Sequence, residues 1–164
     1  MRKSLPRIPK VRAFRAFAEA GRQLSELHIK YESAKPFSGI VRTLTHARPD
    51  MPLDELLRVT KMKIPKVKGV QDRTRIVYNN HVTLENIPEE AYEYQLGARS
   101  AIEWIINRYQ MKTDPKSGIV NDSNDWSDDP EYIVKLLMRV VTVSLATIEI
   151  VKHLPPLDII EAAA

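Results

Sequence analysis

Three stretches of the chain place their apolar residues at helical spacings. The first, residues 10–31, carries a stripe of residues three and four positions apart: Phe14, Phe17, Gly21, Leu24, His28 and Tyr31. That spacing is the period of an amphipathic helix, and Gly21 within it indicates close packing by another element. Residues 98–110 and 130–153 are broadly apolar, which is typical of largely buried helices. Trp104 is therefore expected in the core.

Capping signals stand at the starts of the second and third helices. Ser100 precedes Glu103 by three positions, the spacing at which two residues exchange hydrogen bonds in a capping box. Asp129 is followed by Pro130, whose missing N–H is harmless at the first position of a helix. We therefore expect Asp129 to cap a helix that begins at Pro130.

The clearest local signal for a pair of strands lies near residues 75–84. Two segments, residues 75–78 and 81–84, flank the dipeptide Asn79-Asn80. Because asparagine tolerates positive φ angles, this pattern predicts an antiparallel hairpin with a two-residue turn, in which Val77 pairs with Val82.

Two shorter segments also have strand character. Residues 61–64 alternate lysine with apolar side chains, which indicates a half-buried strand, and residues 92–94 offer a further strand. Residues 32–56 are irregular, with one short helical turn predicted at 54–57. The fold class that follows is α+β in a single domain over residues 1–164. It consists of a small antiparallel sheet with a hairpin near 75–84, packed on about three helices at 10–31, 98–110 and 130–153.

The formal net charge of +4 is unevenly distributed along the chain. Residues 1–80 hold 18 Lys and Arg against 7 Asp and Glu, a net charge of +11, whereas residues 81–164 hold 7 against 14, a net charge of −7. A basic half of this size favours a polyanionic partner, although mutual attraction of the halves would explain the same distribution. The absence of cysteine excludes disulfides and thiolate chemistry, and a cytoplasmic setting is natural for such a chain.

No catalytic or cofactor-binding signature is present in the sequence. There is no glycine-rich dinucleotide motif and no phosphate-binding loop, and the four histidines lack metal-ligand spacing. The acidic loop at residues 122–129 resembles the start of a calcium loop, but Ser127 replaces the required glycine and Ile133 the bidentate glutamate. We therefore expect no catalytic residue, metal site or cofactor. Charged residues within the most apolar window, 133–151, also argue against a membrane span.

Six basic residues lie on or beside the predicted sheet: Lys61, Lys63, Lys66, Lys68, Arg73 and Arg75. They form the best candidate for a DNA-contacting surface, and a turn is predicted among them at Gly69. The competing explanation is that lysines protect an edge strand against aggregation. Arg12, Arg15 and Arg22 on the first helix offer a second candidate phosphate surface, or simply a solvated helix face.

Three blocks of sequence carry a family resemblance. The first contains Leu5-Pro6-Arg7-Ile8-Pro9, Ala20-Gly21-Arg22, Leu27-His28 and Tyr31-Glu32, and the second contains Lys61-Met62 and Thr83-Leu84-Glu85-Asn86-Ile87-Pro88. The third contains Tyr94, Gly97, Arg99-Ser100-Ala101, Glu103-Trp104, Arg108-Tyr109-Gln110, Ser117-Gly118-Ile119, Asn121-Asp122 and Asn124-Asp125-Trp126. In these blocks the chain resembles the C-terminal, target-recognition region of type ISP single-polypeptide restriction–modification enzymes and related helicase–methylase proteins.

That resemblance implies a non-catalytic, C-terminal fragment of a larger multidomain protein, because nuclease, helicase-like ATPase and amino-methyltransferase parts come first in those enzymes. The implied partners are double-stranded DNA and the other domains of the parent polypeptide. From hairpin geometry alone, Asn79, Asn80 and His81 are candidate base-edge readers, since amides pair bidentately with adenine. A hairpin turn would select the same asparagines without DNA. The alternative function is a structural domain that docks on the methyltransferase part and contacts no DNA.

Overall fold

The computed structural model of the protein describes residues 10–157. These residues form four α-helices: α1 (Val11–Ile29), α2 (Leu53–Leu56), α3 (Ala101–Arg108) and α4 (Tyr132–Lys152). The three predicted helices are confirmed as α1, α3 and α4, and the predicted helical turn as α2. Short 3-10 helices lie at Tyr31–Ser33, Glu89–Glu93 and Ser123–Trp126.

The strands are short and all their pairings are antiparallel. In chain order they are β1 (Val41–Leu44), β2 (Lys66–Val67), β3 (Val70–Gln71), β4 (Ile76–Val77), β5 (Val82–Glu85), β6 (Gln95–Leu96), β7 (Arg99–Ser100), β8 (Lys112–Thr113) and β9 (Val120–Asn121). One three-stranded sheet has the order β1-β5-β4, and β2-β3, β6-β7 and β8-β9 form separate two-stranded hairpins. The architecture is therefore α+β, as predicted.

The predicted hairpin exists, but its predicted register is wrong by one residue. Val77 pairs with Thr83 rather than with Val82, which leaves a loop of three residues, 79–81. Neither asparagine of the loop has a positive φ angle. Instead, Asn79 Oδ1 accepts hydrogen bonds from the N–H groups of His81 and Val82, both at 2.8 Å. The side chain thus organises the turn in place of the backbone, as asparagine does in Asx turns.

The core lies between α4 and the three-stranded sheet. Its fully buried members include Ile76, Tyr78, Leu84, Ile102, Val134, Leu136, Leu137 and Val141. β5 alternates as a half-buried strand should, with Val82 and Leu84 buried and Thr83 and Glu85 partly exposed. The buried sides of the sheet and α4 therefore fix the position of the β4–β5 hairpin, because exposing them would cost the hydrophobic stabilisation of the core.

Helix α1 is less buried than its apolar stripe predicts. Of its residues only Ala20 is buried, and Phe14 keeps 59% of its surface exposed. A Cβ atom added at Gly21 would meet nothing within 4 Å, so the close packing expected there is wrong. His28 hydrogen-bonds Thr147 Oγ1 of α4 at 3.1 Å and stacks on Tyr94. The helix is thus anchored near its C-terminal end, while Phe14 near its N-terminal end is left uncovered.

Three strand expectations differ from the structure. Residues 92–94 contribute no strand, because Tyr92 belongs to a 3-10 helix. Residues 61–64 provide only an isolated bridge between Lys63 and Val77. In contrast, the region expected to be irregular contains β1, which pairs along its whole length with β5. β1 is mostly exposed, so it carries little of the hydrophobic alternation by which strands are recognised.

Two expectations about the helices are also wrong. Trp104 keeps 43% of its surface exposed, and its indole N–H donates to the carbonyl oxygen of Leu96 at 2.9 Å. α4 begins at Tyr132, two residues later than predicted. Asp129 nevertheless accepts the N–H of Glu131 at 2.9 Å, so its carboxylate satisfies a donor of the turn that leads into the helix.

The capping box of α3 is confirmed, and we expect Ser100→Ala to lower the free energy of unfolding by about 1–2 kcal/mol. Ser100 Oγ accepts the N–H of Glu103 at 3.2 Å, and the Glu103 carboxylate accepts the Ser100 N–H at 2.8 Å. Ser100 is fully buried, so in the variant water could not readily replace the hydroxyl as the acceptor for the N–H of Glu103. Urea unfolding measures the loss. Ser25→Ala on the exposed face of α1 is the control, and an equal effect of both changes would contradict the role of the cap.

Candidate nucleic-acid interface

Four exposed lysines lie on consecutive segments beside the sheet. Lys63 exchanges backbone hydrogen bonds with Val77 at 3.0 and 2.9 Å, which places residues 61–64 next to β4. The chain then enters the β2–β3 hairpin, whose turn residues Lys68 and Gly69 both have positive φ angles. The turn predicted at Gly69 is therefore confirmed, with the geometry of a tight two-residue hairpin.

These four residues, Lys61, Lys63, Lys66 and Lys68, are called the lysine surface below. All four are exposed, and none forms an ion pair with any residue from 10 to 157. Among residues 10–80, most other cations are engaged; Arg42, Arg48 and Arg58, for example, pair with carboxylates. The lysine surface thus presents uncompensated positive charge to solvent.

Arg73 and Arg75, which the sequence grouped with these lysines, are in different environments. Arg73 places its guanidinium over the ring of Tyr92, 5.3 Å from the centroid. Arg75 pairs with Glu85, which also accepts a hydrogen bond from the hydroxyl of Thr43. The Thr43 hydroxyl and the Arg75 guanidinium lower the pKa of Glu85, so this carboxylate stays charged. Arg75 would have to leave it to contact a phosphate.

The hairpin tip offers one freely accessible side chain of the three that the sequence proposed as base readers. Asn79 is only 8% exposed, and its Nδ2 donates to the carbonyl oxygens of Leu56 and Arg58 at 2.8 and 3.0 Å. Its amide is therefore fully occupied by backbone groups. His81 is half-buried, with a buried Nδ1. Asn80 is exposed and remains available.

A groove of about 360 Å³ lies between the lysine surface and one face of α3. Its polar lining consists of Lys61, Gln71, Arg99, Glu103, Asn107 and Gln110. Burial alone raises the pKa of Glu103, but the Ser100 hydrogen bonds and the charges of Arg73 and Arg99 outweigh it, and the pKa lies below its ordinary value. That carboxylate is occupied by the capping box. The amides of Gln71, Asn107 and Gln110 were not among the predicted site residues; Asn107 lies four positions after Glu103 on one face of α3, and Gln110 follows the end of that helix.

Two exposed tryptophans carry arginines on their rings. Arg99 lies over Trp104 at 5.4 Å and Arg108 over Trp126 at 5.3 Å from the ring centroids. Such stacking orients the guanidinium while leaving its N–H donors at the edge free. Trp126 also contacts Tyr109 edge-on at 5.2 Å, so core packing and surface exposure are combined in this residue.

The acidic loop has a structural role. Asn124 Oδ1 accepts the N–H of Val59 and its Nδ2 donates to the Val59 carbonyl oxygen, both at 2.8 Å. Asp122 pairs with Arg58.

Across residues 10–157, no three metal-ligating side chains form a group that could hold an ion. Within that same range, no helix is long and apolar enough to cross a membrane.

Comparison with known proteins finds a matching family model and similar solved structures. A family model described as the Type ISP C-terminal specificity domain matches residues 1–136. The chain is similar to part of the ATP-dependent Type ISP restriction–modification enzyme LlaBIII bound to DNA, with 42% identity and a TM-score of 0.80 over 96% of this chain. It is similar to part of a nuclease-deletion mutant of the Type ISP enzyme LlaGI in complex with a DNA substrate mimic, with 48% identity and a TM-score of 0.77 over 98%.

The cryoEM structure of a DrdV–DNA complex is also similar, at 32% identity and a TM-score of 0.72 over 94% of this chain. The chain spans only 10%, 14% and 15% of the length of the LlaBIII, LlaGI and DrdV chains, respectively. No curated protein matches it.

Proposed function

The chain belongs to the family of Type ISP C-terminal specificity domains, and from that premise we propose that it binds double-stranded DNA as a target-recognition module of a restriction–modification enzyme. The observation that carries the proposal is the lysine surface, which presents four exposed cations without ion-pair partners among residues 10–157. Unpaired lysines suit phosphate contacts, because they can bind a phosphate without first leaving a carboxylate. The DNA complexes of its relatives support the same partner.

We further propose that the module has no catalytic role of its own and acts within a longer polypeptide. The family description, a specificity domain, supports the first point. The second is supported by the small share of each solved relative that the chain spans. Residues 1–164 would then be a single domain beside the parts that cut, translocate or methylate DNA. The cytoplasm is the compartment that fits such a partner.

The proposal predicts that this chain binds duplex DNA with an affinity that falls steeply as salt rises. Neutralising phosphates releases condensed counterions, so a plot of log affinity against log salt has a slope of about −0.9 per phosphate contacted. Fluorescence anisotropy of a labelled duplex over a salt series gives this slope. A slope of about −3 or steeper is expected if the lysine surface makes its contacts. Absence of binding at low salt would contradict DNA binding by this chain.

A second candidate function, docking on the methyltransferase part of the parent polypeptide, is favoured by a different observation. Val11 and Phe14 on α1, and Ile119 and Val120 around β9, are all exposed by more than half. Exposed apolar side chains in groups are typical of surfaces that another domain covers. Docking predicts binding to the remaining part of the parent polypeptide that persists at high salt and is lost in Phe14→Asp. Retention of that binding in the variant would contradict a docking role for α1.

A further inference from the structure

The groove between the lysine surface and α3 is lined by three side-chain amides, those of Gln71, Asn107 and Gln110. Gln71 lies on one wall, and Asn107 and Gln110 lie on the other. The side-chain amides of Gln71 and Asn107 make no hydrogen bond with any residue between 10 and 157. Gln110 Nε2 donates to the carbonyl oxygen of Asn107 at 2.6 Å, which leaves its carbonyl oxygen available. Donors and acceptors from two separate elements therefore line one groove.

We infer that this groove is the base-reading site of the module, and that Gln71, Asn107 and Gln110 determine which DNA sequence it prefers. The inference rests on the proposed function and names the residues that would supply its specificity. Asparagine and glutamine amides combine a donor with an acceptor, which matches the N6 and N7 edge of adenine. Lysines contact phosphates without distinguishing sequences, so a recognition module needs a second set of groups with this property.

The position of the groove relative to the lysine surface supports this assignment. Lys61 lines the groove itself. Lys66 pairs directly with Gln71 across the β2–β3 hairpin, and cross-strand partners project from the same face of a hairpin. Lysines anchored on phosphates would therefore fix the register in which the neighbouring amide meets a base edge.

Arg99 completes the groove as an oriented cation. Its guanidinium lies over Trp104 and pairs with no carboxylate in the described residues. A guanidinium with its edge free can bind a phosphate or the O6 and N7 atoms of guanine. The hairpin tip offers much less, because Asn79 is fully engaged with the backbone and only Asn80 is open.

The test is selection from a pool of duplexes that contain about ten randomised base pairs, one turn of B-DNA. The wild-type chain is compared with the triple variant Gln71→Ala/Asn107→Ala/Gln110→Ala, with Gln71→Ala alone, and with Asn80→Ala. Gln23→Ala, an exposed amide change on α1, is the matched control. Thermal unfolding of each variant verifies folding; the single exposed change at Gln71 keeps the test valid if the triple variant is unstable.

We expect the wild-type chain to enrich a defined sequence and the triple variant to lose preference at one or more positions of it, with about tenfold weaker discrimination there. The salt slope should stay at the wild-type value, because no phosphate contact is removed. Enrichment of the unchanged sequence by the triple variant would overturn the inference and leave DNA binding intact. Loss of preference only in Asn80→Ala would overturn it in favour of the hairpin tip. Failure of the wild-type chain to bind any duplex would overturn the proposed function as well.

Discussion

Replacing Asn79 with alanine is expected to lower the free energy of unfolding by about 3 kcal/mol or more. The side chain makes four hydrogen bonds with backbone groups: it donates to Leu56 and Arg58 and accepts from His81 and Val82. Alanine would leave these groups without partners at a position only 8% exposed, and each buried, unsatisfied group costs about 1–3 kcal/mol. Urea unfolding at neutral pH measures the change.

Asn80→Ala is the matched control for this prediction, because it alters the adjacent asparagine of the same loop. Asn80 is exposed and its side chain has no hydrogen bond to the described residues, so a change within about 0.5 kcal/mol is expected. Equal stabilities of the two variants would show that the Asn79 amide does not tie the hairpin to residues 56–58. The contrast also separates instability from the loss of a DNA contact, because a partly unfolded Asn79→Ala protein would bind DNA weakly even if Asn79 contacts no base.

The elements predictable from sequence are those in which local pattern and tertiary environment agree. α4 is predominantly apolar, and its residues Ile133, Val134, Leu136, Leu137, Val140, Val141 and Val143 are buried. The Ser100–Glu103 capping box is local by nature, since both partners lie within one turn. For these elements the neighbours in sequence are also the decisive neighbours in space.

The failures have the opposite character. The asparagine dipeptide predicted a two-residue turn, but distant carbonyl groups at residues 56 and 58 bind the Asn79 amide and the loop takes three residues. Trp104 lies on a helix that is apolar in composition, yet its face is covered only in part. β1 is mostly exposed and is recognisable only from its pairing with β5. The errors in the hairpin and in β1 arise where contacts distant in sequence outweigh local preference.

Of the candidate site, too, only the part that is local in sequence could be predicted. The four lysines are close in sequence, and all of them are exposed in the structure, although Met62 between them is buried. The pairing of Arg75 with Glu85 depends on the strand register, and the register predicted from sequence was wrong by one residue. The groove joins residues from β3, β7 and α3, so no window of sequence contains it.

Changing the four residues of the lysine surface to alanine together is expected to weaken duplex DNA binding on the order of a hundredfold at moderate salt. Each cation that contacts one phosphate contributes about 0.9 to the dependence of log affinity on log salt, so the slope should become shallower by about 3–4. Fluorescence anisotropy over a salt series measures both quantities. The variant should remain folded, because all four side chains are exposed and outside the core.

A charge-matched control separates a located surface from the effect of net charge. Arg22, Lys30, Arg48 and Lys152 are exposed, and each pairs with a glutamate. Changing these four to alanine lowers the formal net charge from +4 to 0, as the lysine variant does. We expect this variant to keep a slope close to the wild-type value, because its cations are already neutralised locally. Equal losses in the two variants would attribute binding to overall charge.

The arginines of α1 provide the remaining alternative. Arg12 and Arg15 are exposed and pair with no carboxylate among residues 10–157. If the lysine variant binds as the wild type does while Arg12→Ala/Arg15→Ala loses affinity and salt dependence, then DNA lies along α1 and the lysine surface is edge protection for the β2–β3 hairpin. If only the lysine variant is impaired, the phosphate contacts lie beside the groove, within reach of the amides that we assign to base reading.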